Sequence, residues 1–440
     1  MKRSNVAWNI FGLGAPLLFA VVAIPILLRA AGEEKFGIFM LAWGLVGFSS
    51  ILDLGIGRAT THELAKRNGG KAEARAGTIF TTAERIAWTT GLVGTLVVIA
   101  LIQLGLYRAL NFSPALERDI VLSGWIVAFT MPLQVVSAMY RGVNEAYGQY
   151  RGISIIRVAL GGANFLLPAA VSYFTANLTA LIATLLVSRL VALVAFRVLA
   201  VRQIAPERAV DGAGGGFNRH TARRLLGFGL WNTVSSVLNP LMTQSDRFII
   251  GSVLTVAAVS AYTVPYEVAT KLLIVPGAVT TVLFPSVTAS LTRNPAEALT
   301  TFWRWFLGTT AAMIALSAVF FLAAPWLLRL WLGSALPDGA IAVAQIIGIG
   351  LVPYTIGTLM VSLVHAYRRP DVTAKSHLIQ APLYLASSYW AIRTFGVKGA
   401  AAAWVIRIAV DAAVLMAWHF RSNRGTNRMP LQAIKKKASR

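Results

Sequence analysis

Long apolar runs follow one another along almost the whole chain, with short polar segments between them. A helix needs roughly 20 apolar residues to cross the hydrocarbon core of a bilayer, and each run reaches about that length. The runs are too long and too uniformly apolar for the alternating strands of a membrane barrel. The pattern therefore predicts twelve membrane-spanning helices, over residues 7–28, 36–57, 78–104, 119–140, 152–174, 177–199, 225–252, 256–282, 302–324, 340–364, 374–394 and 399–420.

The composition agrees with this pattern. Hydrophobic residues make up 56% of the 440 residues and charged residues only 13%, and the mean hydropathy is +0.66. Soluble domains spend about a quarter of their residues on charges, so this chain lacks the residues for a soluble surface. The predicted fold class is an all-α integral membrane protein. The chain contains no cysteine, which excludes disulfides and thiolate ligands, and we expect neither a metal site nor a cofactor.

A basic, glycine-rich stretch divides the chain nearly in half. Residues 201–224, "VRQIAPERAVDGAGGGFNRHTARR", have the composition of a linker, and six predicted helices lie on each side of them. The pair Trp8-Asn9 recurs as Trp231-Asn232, which indicates a duplicated unit. Because six is an even number, the two halves have the same topology and are predicted to be related by a pseudo-two-fold axis along the membrane normal.

These observations predict four parts of the chain. They are an N-terminal six-helix lobe (1–200), a cytoplasmic linker (201–224), a C-terminal six-helix lobe (225–420) and a basic cytoplasmic tail (421–440).

Most of the 40 lysines and arginines fall in alternate loops, on one side of the predicted helices. Cytoplasmic loops of membrane proteins carry such an excess of basic residues, so both termini are predicted to lie in the cytoplasm. The net charge of +23 therefore reports topology. It does not indicate nucleic-acid binding, because no basic helix face interleaved with aromatic residues occurs outside these loops.

Several ionisable residues interrupt the apolar runs, among them Asp246 and Arg247 in the otherwise uncharged "LLGFGLWNTVSSVLNPLMTQSDRFIIGSVL". A charge at the bilayer centre costs about 2.5–3.5 kcal/mol on insertion scales, so such residues face protein, a partner or water. In a wet cavity, guanidinium and ammonium groups suit a phosphate or diphosphate. The predicted substrate-binding residues are Arg189, Lys271 and Arg407, near the middle of their helices, and Arg157, Arg247 and Arg85.

Mutual neutralisation is the alternative interpretation of the same charges. The pairs Glu267–Lys271 and Arg407–Asp411 each lie four residues apart on one helix face. Arg157 and Arg189 have no carboxylate near them in the sequence, and Asp53 is predicted to have a capping or interfacial role at a helix end. We expect the Asp246-Arg247 pair to tie helix 7 to its neighbours more than to grip substrate. The candidates for ion coupling are Glu267, Asp411 and Asp246.

Three segments carry a resemblance to a known family. They are "LLRAAGEEKFGIFMLAWGLVGFSSILDLGIGRATTHELAK" (27–66), "SDRFIIGSVLTVAAVSAYTVPYEV" (245–268) and "VLFPSVTASL" (282–291). In these segments the chain resembles the bacterial oligosaccharide flippases, the polysaccharide-transport branch of the multidrug/oligosaccharidyl-lipid/polysaccharide exporter superfamily. It lacks the extra pair of helices that some members carry. It also lacks the arginine-rich first helix of the flippases for peptidoglycan precursors.

The resemblance implies two six-helix lobes around a V-shaped cleft in the bacterial inner membrane. Its implied substrate is a polyprenyl-diphosphate-linked oligosaccharide, such as an O-antigen or exopolysaccharide repeat unit, passed from the inner to the outer leaflet. The implied partners are this substrate, membrane lipids, and a glycan polymerase with its chain-length machinery. The resemblance implies a transporter, without catalytic residues.

Two other functions stay open from the sequence. A drug/cation antiporter of the same superfamily would prefer carboxylates in its cleft, whereas most acids here have a basic neighbour four residues or fewer away. A membrane enzyme acting on lipid-linked glycans would need a large outer loop or an acid/base dyad. The predicted outer loops are short, and the chain contains neither an Asp-Xaa-Asp nor a His-Glu-Xaa-Xaa-His motif.

Overall fold

The computed structural model is helical almost throughout the residues it describes, which are 3–53, 55–68, 75–211, 216–291, 294–367 and 369–424. No strand occurs within these ranges, and the predicted all-α fold class is confirmed. The basic tail from residue 425 onward lies outside the described residues. The helices are α1 (Arg3–Leu52), α2 (Ile56–Asn68), α3 (Ala76–Gln103), α4 (Glu117–Ala146), α5 (Tyr150–Ser172), α6 (Leu178–Asp211), α7 (Arg219–Val253), α8 (Val256–Lys271), α9 (Ile274–Leu291), α10 (Pro295–Leu332), α11 (Ala340–Ala366) and α12 (Pro370–Arg424).

Two of these helices contain a sharp kink at a glycine. In α1 the kink lies at Gly32, with φ 78° and ψ 166°, and in α12 it lies at Gly396, with φ 62° and ψ −145°. Glycine adopts positive φ without the steric cost that a Cβ brings. Each kink divides its helix into two segments, so α1 contains most of the first two predicted spans and α12 the last two.

The eighth predicted span, 256–282, is broken in the structure. Helix α8 ends at Lys271 and α9 begins at Ile274, with a bend of 41° between them. Pro276 accounts for the break, because its ring has no N–H to donate and clashes with the carbonyl four residues earlier, at Leu272. The pattern of apolar residues alone does not predict such a break.

Seven helices within the described residues are long and apolar enough to cross a membrane, or eight if the bent pair α8–α9 forms one span. The chain is thus a multi-pass membrane protein. Every predicted span lies mainly within described helix, and the count of twelve spans stays a prediction.

The chain forms two compact units, Met1–Ser260 and Ala261–Arg440. In the first unit, α4 packs against α3 and α6, α1 packs against α5, and α7 packs against α1, α2 and α3. Its core contains the buried residues Phe80, Tyr140 and Phe196. The end of α7 is held by Asn111, whose side-chain amide donates to the carbonyls of Ser252 and Leu254 at 2.8 and 2.9 Å.

In the second unit, α11 packs against α10, α9 and α12 around a core that includes Phe302, Met360 and Leu415. The structural division at Ser260 falls within α8, so α7 belongs to the first unit, whereas the predicted lobes lie on either side of 201–224. The division of the chain into two six-helix lobes at the linker therefore stays a prediction.

Candidate functional site

The contact between α2 and α4 positions one end of the candidate site. A Cβ on Gly142 would lie 2.2 Å from the carbonyl oxygen of Gly57, so the two backbones touch. The hydroxyl of Thr61 donates to the Gly142 carbonyl at 2.8 Å across the same contact. The carboxylate of Asp53, just before α2, accepts from the backbone N–H of Gly57 at 3.3 Å. The predicted capping role of Asp53 is confirmed, and its carboxylate is held beside α4.

A polar cavity of about 230 Å³ lies next to this contact, inside the first unit. Its charged and amide side chains are Asp53, Gln134, Arg141, Arg157 and Arg189. Three guanidinium groups thus share the cavity with one carboxylate. Such a cavity suits an anion, and guanidinium groups can bind two oxygens of a phosphate at once.

Arg189 on α6 is the most buried of these arginines, with about 9% of its surface exposed. Its Nε has no hydrogen-bond partner among the described residues. The helix is held in place by the preceding residue, because the Ser188 hydroxyl donates to the Asn164 side chain of α5 at 3.0 Å. A buried cation with an unsatisfied donor lowers the stability of the fold. Packing therefore does not explain why an arginine occupies this position.

Arg157 on α5 has a carboxylate neighbour that its sequence position does not reveal. Its Nη2 lies 3.7 Å from Oε1 of Glu145, and Nε of Arg141 lies 3.8 Å from the same oxygen. Glu145 stands near the end of α4, and a turn at Gly148, with φ 71°, leads into α5. The expectation that Arg157 has no carboxylate near it therefore holds for the sequence but is wrong for the fold. All three side chains are partly exposed, which weakens the ion pairs.

Sequence analysis missed Arg141 and Gln134 as members of the cavity. The signal was present on α4, where Gln134, Ala138, Arg141 and Glu145 recur at intervals of three and four residues. That spacing places them on one face of a helix. Arg141 and Glu145 lie beyond the apolar run 119–140, so the apolar pattern does not place them on the same helix as Gln134.

Asp246 and Arg247 lie in the first unit, away from this cavity. Both are buried on α7, with 1% and 3% of their surface exposed, and α7 packs on α1 there. A Cβ on Gly44 of α1 would be 3.6 Å from Cδ of Arg247, so the arginine side chain packs close to α1. This position supports the interpretation that the pair joins helices.

Arg85 also lies outside the cavity. It is exposed on α3, and its guanidinium lies 5.9 Å from the centre of the Phe217 ring, just ahead of α7. A cation over an aromatic ring at this distance is weakly attracted to it. Arg85 therefore contacts the segment that leads into α7.

The remaining candidates lie in the second unit. Nζ of Lys271 is 2.9 Å from Oε2 of Glu267, which confirms the predicted pairing of these two residues along α8. The guanidinium of Arg407 lies 5.1 Å from the centre of the Tyr384 ring. Both Arg407 and Tyr384 belong to α12, on either side of its kink.

Asp411 joins the two segments of α12. Its Oδ1 accepts from the Gln380 side chain at 2.9 Å and from the Ser376 hydroxyl at 3.4 Å, and it lies 3.6 Å from Nε2 of His377. The partners across the kink were not foreseen from the sequence, which offered only Arg407 on the same helix face.

Comparisons with known proteins agree with this fold. A Shigella flexneri protein named "Putative O-antigen transporter" is 26% identical over 419 residues, which cover 94% of this chain and 96% of that protein. An inward-facing multidrug resistance MATE family transporter of the MOP superfamily superposes with a TM-score of 0.78 at 16% identity, covering 97% of this chain and 99% of that one.

A MOP superfamily transporter from Pyrococcus furiosus, described as having a binding pocket of reverse polarity, superposes with a TM-score of 0.67 at 16% identity, covering 94% and 93% of the two chains. At such identities the superpositions show the fold alone. The sequence model of a family described as polysaccharide biosynthesis protein matches residues 26–338. The resemblance seen in the sequence is thereby confirmed: this chain belongs to the polysaccharide biosynthesis protein family.

Proposed function

We propose that this protein is a flippase that moves a polyprenyl-diphosphate-linked oligosaccharide from the inner to the outer leaflet of the cytoplasmic membrane. The family match and the relative named as an O-antigen transporter support the transport of a polysaccharide precursor. The helices long enough to span a membrane support a multi-pass carrier. In this proposal both termini are cytoplasmic, transport proceeds by alternating access, and the product serves cell-surface or exopolysaccharide synthesis.

The observation that carries the proposal is the buried guanidinium of Arg189 on a polar cavity with two further arginines and one carboxylate. A diphosphate is the anionic part of the proposed substrate and supplies several acceptor oxygens to such a group. In the proposed cycle the cavity binds the diphosphate and satisfies the Arg189 donor, while the lipid tail stays in the bilayer. A cationic drug would be repelled by the same three arginines, which disfavours the antiporter alternative for this cavity.

The test is leaflet-to-leaflet transfer of a fluorescent lipid-linked oligosaccharide in proteoliposomes, measured with a quencher that cannot cross the membrane. We expect Arg189→Ala to slow transfer by about tenfold or more, since a hydrogen bond to a charged group contributes about 1.5–3 kcal/mol. Arg189→Lys should transfer at an intermediate rate, because it keeps the charge without the fork geometry.

The matched control is Arg202→Ala, which removes an exposed arginine from the same helix and should leave the rate unchanged. Arg189→Ala removes an unsatisfied buried charge, so we expect a thermal unfolding temperature equal to or above that of the wild type. Transfer at the wild-type rate by a well-folded Arg189→Ala variant would refute the role of this cavity.

Asp411 is the candidate for ion coupling that the geometry favours over Glu267 and Asp246. Its carboxylate joins two helix segments and lies 3.6 Å from Nε2 of His377. Glu267 is bound to Lys271 at 2.9 Å, and Asp246 is buried at a helix contact. Binding a proton or a metal cation at Asp411 would weaken its bond with Gln380 and so change how the two segments of α12 are joined.

A further inference from the structure

The second unit contains a large apolar groove that the proposed diphosphate site does not use. It has a volume of about 920 Å³ and is lined by the two segments of α12 and by Ile346 of α11. Ligand pockets usually fall between about 300 and 1,000 Å³, so the groove is at the upper end of that range. Its shape follows from the sequence of α12.

Small residues form one side of the groove. Gly399, Ala402 and Ala403 line it from the second segment of α12. A Cβ on Gly399 would lie 2.0 Å from the carbonyl oxygen of Ala391, so the two segments touch just beyond the kink. Farther along, the absence of large side chains on this face leaves a hollow between the segments.

Large apolar residues form the opposite side and the rim. Leu383, Trp390 and Phe395 from the first segment and Ile406 from the second all line the groove, and each is 62–64% exposed. Leu383 and Trp390 lie seven residues apart, so they share one face of the first segment. Exposed apolar side chains around a hollow in a membrane helix pair are suited to a hydrocarbon chain.

Polar groups close the groove at both ends. Lys398 stands next to the kink, and at the other end Arg407 lies on Tyr384 while Gln380 is bonded to Asp411. From Gly399 to Val410 a helix rises by about 17 Å. That length is close to half of the hydrocarbon core of a bilayer, which is about 30 Å thick, so the groove is one leaflet deep.

We infer that this groove holds the isoprenoid chain of the translocated lipid once its diphosphate has left the Arg189 cavity, with the lipid phosphate then beside Lys398. The inference rests on the proposed function, which supplies an anionic lipid of this kind. By the predicted topology, the kink at Gly396 faces the outer surface, so Lys398 stands at the headgroup level of the outer leaflet. The chain then runs down the groove toward Arg407. The positive charge at the mouth matches the phosphate, and the apolar walls match the chain.

Photo-crosslinking tests this inference directly, in nanodiscs of zwitterionic phospholipid that contain a polyprenyl phosphate with a diazirine on its chain. We expect labelled peptides from both segments of α12, between Gln380 and Val410. Ala402→Phe, which fills the hollow, should lower this labelling by about tenfold, the equivalent of about 1.4 kcal/mol. Ala409→Phe is the matched control, because Ala409 is exposed on the same segment and does not line the groove.

Two further measurements separate the inference from its alternatives. Lys398→Gln should weaken labelling by the polyprenyl phosphate but not by the uncharged polyprenol. Equal labelling of the groove by a diazirine-bearing phosphatidylglycerol would overturn the inference, because the groove would then take any anionic lipid. Unchanged labelling in Ala402→Phe would also overturn it. The readout is binding, so a protein that fails to transfer lipid-linked oligosaccharide but labels as expected would refute the proposed function and leave this site standing.

Discussion

Arg189 and Arg157 show how differently two arginines of one cavity are placed. Arg189 is buried, and its Nε has no hydrogen-bond partner among the described residues, whereas Arg157 lies 3.7 Å from a partly exposed carboxylate. An unsatisfied buried donor costs about 1–3 kcal/mol, and more when it is charged. A side chain with that cost is retained for function more often than for stability. Arg157 is the adaptable member of the pair, because a weak surface ion pair can open at little cost.

At the same scale, Asp411→Asn tests the proposed ion coupling. Asparagine keeps an oxygen that can accept from Gln380 but removes the charge that faces His377. We expect transfer of lipid-linked oligosaccharide in proteoliposomes to lose its response to an imposed proton or sodium gradient while transfer without a gradient continues. Asp371→Asn, at the start of the same helix and bonded to Arg369, should respond to the gradient as the wild type does. A full gradient response in Asp411→Asn would show that the coupling group lies elsewhere.

At the scale of helices, close backbone contacts decide where the functional side chains lie. The touching glycines of α2 and α4 hold Asp53 beside the face of α4 that carries Arg141. In the second unit, the contact of Gly399 with the Ala391 carbonyl fixes the two segments of α12 on either side of the groove. The first contact depends on the absence of a Cβ at both Gly57 and Gly142, and the second on its absence at Gly399.

The α2–α4 contact is open to a stability test. Gly142→Ala would bring a Cβ to 2.2 Å from the Gly57 carbonyl oxygen. Because the Cβ is fixed to the backbone of α4 and the oxygen belongs to the backbone of α2, the helices must separate. We expect a loss of about 1–3 kcal/mol of stability, seen as a lower unfolding temperature of the purified protein at a fixed scan rate. Gly308→Ala is the control, since nothing lies within 4 Å of a Cβ there. An unfolding temperature for Gly142→Ala equal to that of the control would contradict the close approach of α2 to α4.

The sequence predicted the helices well and their interruptions poorly. Apolar runs predict helices because a segment that crosses the bilayer must form its backbone hydrogen bonds within itself. This requirement involves only neighbouring residues, so the sequence of the segment is enough to recognise it. The break after Lys271 depends on the backbone hydrogen bond that Pro276 cannot form. Hydropathy measures only how apolar a segment is and does not include this effect. The approach of Arg157 to Glu145 depends on the packing of α5 on α4, and so does the membership of Arg141 in the cavity. The spacing of residues in a sequence shows which side chains share one face of a helix. It does not show which neighbouring helix that face packs against.

At the scale of the whole molecule, the family match and the membrane-length helices support the proposed carrier, and the orientation of the chain is open to direct measurement. The chain has no cysteine, so single cysteines can be introduced without removing any. We expect Ser334→Cys, in the exposed turn between α10 and α11, to react with an impermeant maleimide added to whole cells. His220→Cys, exposed at the start of α7, should react only after the cells are opened. The reverse pattern would place the termini outside and invalidate the predicted direction of transport.

Helix α7 follows the linker in the sequence, yet it lies with the helices that precede the linker. An N-terminal fragment that ended anywhere in 201–224 would consequently lack the Gln244 side chain that packs on Gly44 and Gly47 of α1. The freed edge of α1 would then meet lipid in place of its native neighbour. The N-terminal piece of a two-piece version should therefore include α7, because a division at the linker separates α7 from the helices on which it packs.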